Sequence, residues 1–207
     1  MTTPRSLLVA TRNIGKLNEL RELLRDLPFV LFGLVDFPGI ETVQESGRTF
    51  VENASLKAAG YAEQTRLLTL ADDSGLEVQA LDGAPGVFSA RYAGELASDT
   101  TRTAALLTKL STVEASKRAA RFVSAVAIAS SEGKILTVAV GICEGHIASA
   151  PRGSSGFGYD PIFVPNGYEL TFAEMDPNTK NQISHRERAL QRARAYLQNL
   201  TCASGAR

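Results

Sequence analysis

Two adjacent carboxylates, Asp72 and Asp73, close an apolar run in "LLTLADDSG", and a third, Glu45, stands in "QESG". A carboxylate at the end of an apolar strand must be hydrogen-bonded, paired or metal-bound, because desolvating it alone is costly. Oxygen ligands of this kind suit Mg²⁺, which takes one or two carboxylates and completes its shell with water and phosphate oxygens. The same letters also spell a turn, since Asp, Ser and Gly are all turn formers. A second set of polar groups is basic or amide: Thr11, Asn13 and Lys16 in "TRNIGK", Lys57, Lys180 in "NTKN", and Ser184, His185 and Arg186 in "SHR". Some of these fall at or near the first turn of an expected helix, where free N–H groups and the helix dipole favour an anion. Each alone reads first as a cap or a solvated charge. Together, several cations and a few carboxylates are what a metal-dependent enzyme acting on a nucleotide polyphosphate needs.

A third stretch, "GSSGFGYDP" at 153–161, alternates Phe157 and Tyr159 with glycines and ends on Asp160 before a proline. It suits a phosphate cradle, a platform for a flat ring or a turn between strands. A standard phosphate loop is excluded, because "TRNIGK" lacks the first glycine and the spacing of that motif. With two histidines in the chain, no Ser/His/Asp arrangement is persuasive, and His146 is expected in a strand or turn without a catalytic role.

These groups need elements to hold them. "SLLVAT" reads as a buried strand, and the following "RNIGKLNELRELLRDL" places Leu17, Leu20, Leu23, Leu24 and Leu27 at helical spacing. "FVLFGLV" is a second strand. Thr49 and Glu52 form the capping pair of a helix that buries Phe50, Ala54, Ala58 and Tyr61. "LLTLADDSGLEVQAL" is expected as two strands around a functional turn at "DDSG". Asp99 is expected to cap a helix through Leu110, and "ARFVSAVAIAS" and "GKILTVAVGICEGHIA" to form a hairpin about "SSEGK". The last helix starts at Ser184 and buries Leu190, Ala193, Leu197 and Leu200, and the tail "TCASGAR" (201–207) is expected to fray. Such a mixture argues for an α/β fold, a mixed sheet flanked by helices.

The 207 residues fit one sizeable core, with 44% apolar and 21% charged residues, an ordinary globular balance. Lys+Arg and Asp+Glu are 22 each, which argues against a protein whose work is gripping nucleic-acid backbone. Cys143 and Cys202 stand in no metal-ligand spacing and are expected to be reduced and passive, one in a strand and one in the tail. The N-terminal apolar run is too short for a signal peptide or a membrane span, so a soluble, cytoplasmic protein is expected.

"TRNIGK", "TFVENASLKA", "ADDSGLEV", "GAPGVFSARYAG", "PRGSSGFGYDPIF" and "ISHRERAL" occur in the order found in the inosine triphosphate (dITP/XTP) pyrophosphatases, and the chain resembles that family from about Leu7 to Leu200. The resemblance implies a single two-lobed domain over 1–207, with a long mixed sheet, a nucleotide cleft between the lobes and a homodimer. It implies Mg²⁺-dependent hydrolysis of deaminated purine nucleoside triphosphates to monophosphate and pyrophosphate. Carried over by position, Asp73 looks like the proton acceptor and a metal ligand, with Glu45 a second ligand. Thr11, Asn13, Lys16, Lys57 and Ser74 look like triphosphate contacts. Phe157, Gly158, Tyr159, Asp160, Lys180, His185 and Arg186 look like the base and sugar side. On this reading the glycine-rich stretch is a platform on which Phe157 stacks against a purine. The alternative from another class is a nucleotide- or RNA-binding module without turnover. Binding alone would not need carboxylates beside a polyanion, since they repel it unless a metal intervenes.

Overall fold

Leu17, Leu20 and Leu24 lie on one face of a helix and are buried in one core with Leu7 and Val9 of the first strand. The structure, a computed structural model, describes residues 5–202. The elements, in chain order, are β1 (Arg5–Val9), α1 (Ile14–Leu24), β2 (Phe29–Gly33), α2 (Phe50–Thr65), β3 (Leu68–Val78), α3 (Asp99–Lys109), β4 (Ala119–Ala129), β5 (Ile135–Ile147), β6 (Phe163–Pro165), α4 (Pro177–Ile183) and α5 (His185–Cys202). A six-stranded sheet runs in the order β2-β1-β3-β4-β5-β6. β1 pairs parallel with β2 and with β3, whereas β5 and β6 pair antiparallel with His146 opposite Val164. The mixed α/β fold expected from the sequence is therefore present.

The chain divides into two compact units: Met1–Asp73 with Ser124–Gly141 and Arg186–Arg207, and Ser74–Val123 with Ile142–His185. The core of the first joins Leu7, Val9 and Leu70 of the strands to the α1 leucines and to Ala189, Leu190, Ala193 and Leu197 of α5. The core of the second is aromatic, with Phe122, Phe163 and Phe172 mutually in contact at centroid distances of 4.7 to 5.9 Å. Such pairs add to the burial of their area through ring quadrupoles.

Three expectations change. "DDSG" is no turn: β3 runs unbroken for 11 residues through Asp72, Asp73, Ser74 and Gly75. Lys16 and Ser124 hold Asp72 and Lys57 holds one oxygen of Asp73, and Gly75 serves close approach, since a Cβ there would meet Ser89 Oγ at 2.3 Å and the Gly86 carbonyl at 2.5 Å. The cap of α3 is Ser98, whose hydroxyl accepts the Thr101 N–H, so Asp99 is the first helical residue. A short helix, α4, precedes the last one, capped by Asp176 with a proline in its first turn. The Thr49–Glu52 capping box, the turn 130–134 between the sheet neighbours β4 and β5, and Cys143 as a reduced thiol in a strand are as expected. Of the tail expected to fray, 203–207 lie outside the described residues, and Cys202 ends α5. Among the described residues no helix is long and apolar enough to cross a membrane.

Candidate active site

Successive side chains of a strand point to opposite faces, and on β3 this separates the two aspartates. Asp72 Oδ2 pairs with Lys16 Nζ at 2.8 Å, and its Oδ1 accepts the Ser124 hydroxyl at 2.5 Å with Arg186 Nε 3.7 Å away. Arg186 also pairs with Glu19. Asp73 Oδ1 instead accepts from Lys57 Nζ at 3.0 Å, and the same ammonium donates to Glu45 Oε2 at 2.9 Å. All of these residues belong to the first unit.

Local structure explains how each group arrives. Asn13 caps α1 by accepting the Lys16 N–H, and its own N–H donates to Thr11 Oγ1, which orders the "TRN" entry to the helix. Lys16 thus sits in the first turn of α1. Glu45 lies in the loop before α2, and that loop is strapped to the helix. The Gly47 N–H donates to Asn53 Oδ1 at 2.8 Å and the Arg48 N–H to Glu52 Oε2 at 2.6 Å. A Cβ on Gly60 would meet Val43 Cγ2 at 2.8 Å, so this mid-helix glycine lets the loop lie close over α2. Lys57 projects from the same helix between the two carboxylates.

The electrostatics differ between the neighbours. Burial works against charge on Asp72, but Lys16 and Arg186 outweigh it and hold its carboxyl well below the usual carboxylate range. For Asp73 burial prevails: Lys57 and Lys16 counter it only in part, Glu45 reinforces it, and the pKa is raised. Glu45 is lowered, because Lys57 overcomes its partial burial. Lys57 is itself raised, as Asp73 and Glu45 outweigh its desolvation and keep it a cation. One carboxylate oxygen of this group, Asp73 Oδ2, is buried without a hydrogen-bond partner among the described residues. A buried acceptor left in that state is costly unless something else binds it. No three or more His, Cys, Asp or Glu side chains come together as an all-protein metal site among the described residues. Two carboxylates that share one ammonium, with Asp73 Oδ2 left unpartnered among the described residues, are oxygen donors of the type that suits Mg²⁺.

The second unit gathers the other set. Phe157 and Gly158 follow Gly156, and both glycines have positive φ (78° and 62°), where side chains are strained. Asp160 Oδ2 accepts the Phe157 N–H at 2.9 Å and Lys180 Nζ at 2.7 Å, and that ammonium lies 5.0 Å from the Phe157 ring centroid. His185 stacks on Phe122 at 4.7 Å with 10° between the rings.

Of the residues expected to serve a ligand, Glu45, Lys57 and Asp73 meet directly, and Lys16 lies beside them on Asp72. Phe157, Gly158, Asp160 and Lys180 meet in the second unit. Arg186 belongs with the Asp72 group of the first. Tyr159 is a core residue: its hydroxyl donates to the Ser89 carbonyl at 3.0 Å, and burial pushes its pKa up. Ser74 is half-buried on β3. Sequence reading passed over Ser124 and Glu19. The signals were a hydroxyl inside the apolar run "FVSAVAIA" and an acid one helical turn beyond Lys16.

A sequence model of the Ham1 family matches residues 7–196. The dITP/XTP pyrophosphatase of Desulforamulus reducens is 50% identical over 194 residues, covering 94% of this chain and 96% of its own. A HAM1 protein from Coxiella burnetii superimposes with a TM-score of 0.85 at 44% identity, covering 94% of this chain and 99% of its own. The Staphylococcus aureus Ham1 protein does so with 0.83 at 37% identity and the same coverage.

Proposed function

The chain belongs to the Ham1 family, and on that premise we propose that it hydrolyses dITP, XTP and ITP to the nucleoside monophosphate and pyrophosphate. The observation that carries this reading is the Glu45–Lys57–Asp73 group, in which Lys57 and Asp73 are buried, with its unpartnered Asp73 oxygen. Water adds to the α phosphorus, the bond to the bridging oxygen of the β phosphate breaks, and pyrophosphate leaves. Asp73 Oδ2, buried with no hydrogen-bond partner among the described residues, takes the proton that the water gives up. Lys57, kept protonated, lowers the cost of bringing a polyanion beside two carboxylates. Lys16, in the first turn of α1, donates to phosphate oxygens, with Thr11, Asn13 and Ser74 as further contacts. Mg²⁺ would be held by Glu45 and Asp73 and would supply Lewis-acid polarisation of the phosphate oxygens.

Phe157 supplies a face for the purine, with Lys180 and Asp160 as its polar neighbours, and His185 is a further contact on the base side. Stacking recognises a ring without saying which ring, and contributes roughly 1–3 kcal/mol. A homodimer in the cytoplasm, free of nucleic acid and membrane, belongs to the same proposal and rests on the family resemblance. A binding module without turnover is disfavoured by the acidic group, which serves no purpose in binding alone. The test is a panel of nucleoside triphosphates with Mg²⁺ and separate detection of pyrophosphate and orthophosphate. Pyrophosphate from ITP, dITP and XTP is expected. Orthophosphate with a nucleoside diphosphate would overturn the reading.

A further inference from the structure

Gly158 carries an unusual burden for a loop residue: both its backbone polar groups are held from α3. Its N–H donates to Asp99 Oδ2 at 2.6 Å, and its carbonyl accepts the Thr103 hydroxyl at 3.4 Å. Asp99 and Thr103 are four apart and so share a helix face. The carboxylate of Asp99 is available for this because Ser98 already caps the helix. Its other oxygen pairs with Arg102, and that guanidinium donates to the carbonyls of Ala90 (2.9 Å) and Ala97 (2.5 Å). The loop is therefore tied to a fixed point. From its far side Asp160 holds the Phe157 N–H, and a Cβ on Gly156 would fall 2.1 Å from that same carboxylate. Two carboxylates, Asp160 from the loop and Asp99 from α3, thus hold the N–H groups of the consecutive peptides on either side of Phe157.

We propose that Asp99 is a positioning residue for the purine platform, acting through Gly158 to set the plane of Phe157. The inference rests on the reading of Phe157 as the stacking face. A peptide with positive φ at glycine has many alternatives in an untied loop. Losing the Asp99 bond lets the ring sample them, so binding must restore the order each time.

The experiment is a double-mutant cycle on Asp99 and Phe157 with ITP as substrate, reading KM and kcat separately. Asp99→Ala is expected to raise KM about tenfold, the scale of one hydrogen bond to a charged group, with kcat changed much less. In the Phe157→Ala background the same change is expected to add less than about twofold, because it has no ring left to position. Asp99→Asn keeps an acceptor for the Gly158 N–H and loses the carboxylate charge that pairs with Arg102, and its KM should stay within about threefold of the parent. A full tenfold effect of Asp99→Ala on top of Phe157→Ala would overturn the inference, since Asp99 would then act elsewhere. So would a tenfold rise in Asp99→Asn, which would assign the effect to the Arg102 pair, or an Asp99→Ala that fails to fold. Phe157→Ala with unchanged KM would overturn the stacking reading itself, and the inference with it.

Discussion

Asp72 and Asp73 are adjacent and chemically identical, yet the structure gives them opposite energetics. Asp72 is ionised at little cost because Lys16, Arg186 and Ser124 hold it, and its pKa is depressed. Ionising Asp73 is opposed by burial, and its pKa is raised. Replacing them by asparagine should therefore separate stability from activity. Asp73→Asn removes the proton acceptor and is expected to lower kcat by at least about 10²-fold, the scale of a general base. Its thermal midpoint should stay near the parent's, because the change removes a charge that burial disfavours and Glu45 still pairs with Lys57. Asp72→Asn leaves buried cations short of a partner and is expected to cost on the order of 3 kcal/mol in denaturant unfolding. The pH dependence follows from the sign of the shift. A depressed folded pKa contributes stability in full above the unfolded value, and that stability is lost as pH falls through the folded one. The gap between parent and Asp72→Asn should thus be complete above about pH 5 and narrow from about pH 4 downward. A gap constant over that range would contradict the assignment.

At the scale of elements, β3 makes the sharpest claim. A strand running through Gly75 needs that glycine for its close approach to Ser89 and Gly86. Gly75→Ala is expected to destabilise by about 1–3 kcal/mol, the usual cost of overpacking, measured as a fall in the denaturant midpoint at constant m. An unchanged midpoint would favour the open turn that the residue types suggest. That misreading shows where sequence stops being legible. The α1 leucines, the Thr49–Glu52 box and the α5 stripe are local patterns, and periodicity finds them. The partners of the aspartates are not local: Lys16 and Ser124 lie on other elements, and only their arrival lets two carboxylates sit inside a strand. The contact between Asp99 and Gly158 spans 59 positions and leaves no local trace. By contrast α4 was findable, since Asp176 before Pro177 is a helix-start signal. At seven residues it is too short for periodicity to show.

For the whole molecule the central matter is which triphosphates are turned over and which bond breaks. Hypoxanthine and xanthine offer a carbonyl acceptor at C6, where adenine offers an amino donor. A site that presents a fixed donor there leaves it unpaired against adenine. The N–H groups of Phe157 and Gly158 are committed to Asp160 and Asp99, so neither supplies that donor in this arrangement. Sites built around such a bond reject the wrong partner by roughly 10⁴-fold, and a ratio of that order in kcat/KM for ITP over ATP is expected. Comparable values would overturn the substrate class while leaving the chemistry intact. The chemistry has its own direct test, hydrolysis of ITP in ¹⁸O-labelled water with mass spectrometry of both products. Attack at the α phosphorus puts the label in inosine monophosphate and leaves the pyrophosphate unlabelled. Label in the pyrophosphate, with none in the monophosphate, would contradict the role given to the Glu45–Lys57–Asp73 group.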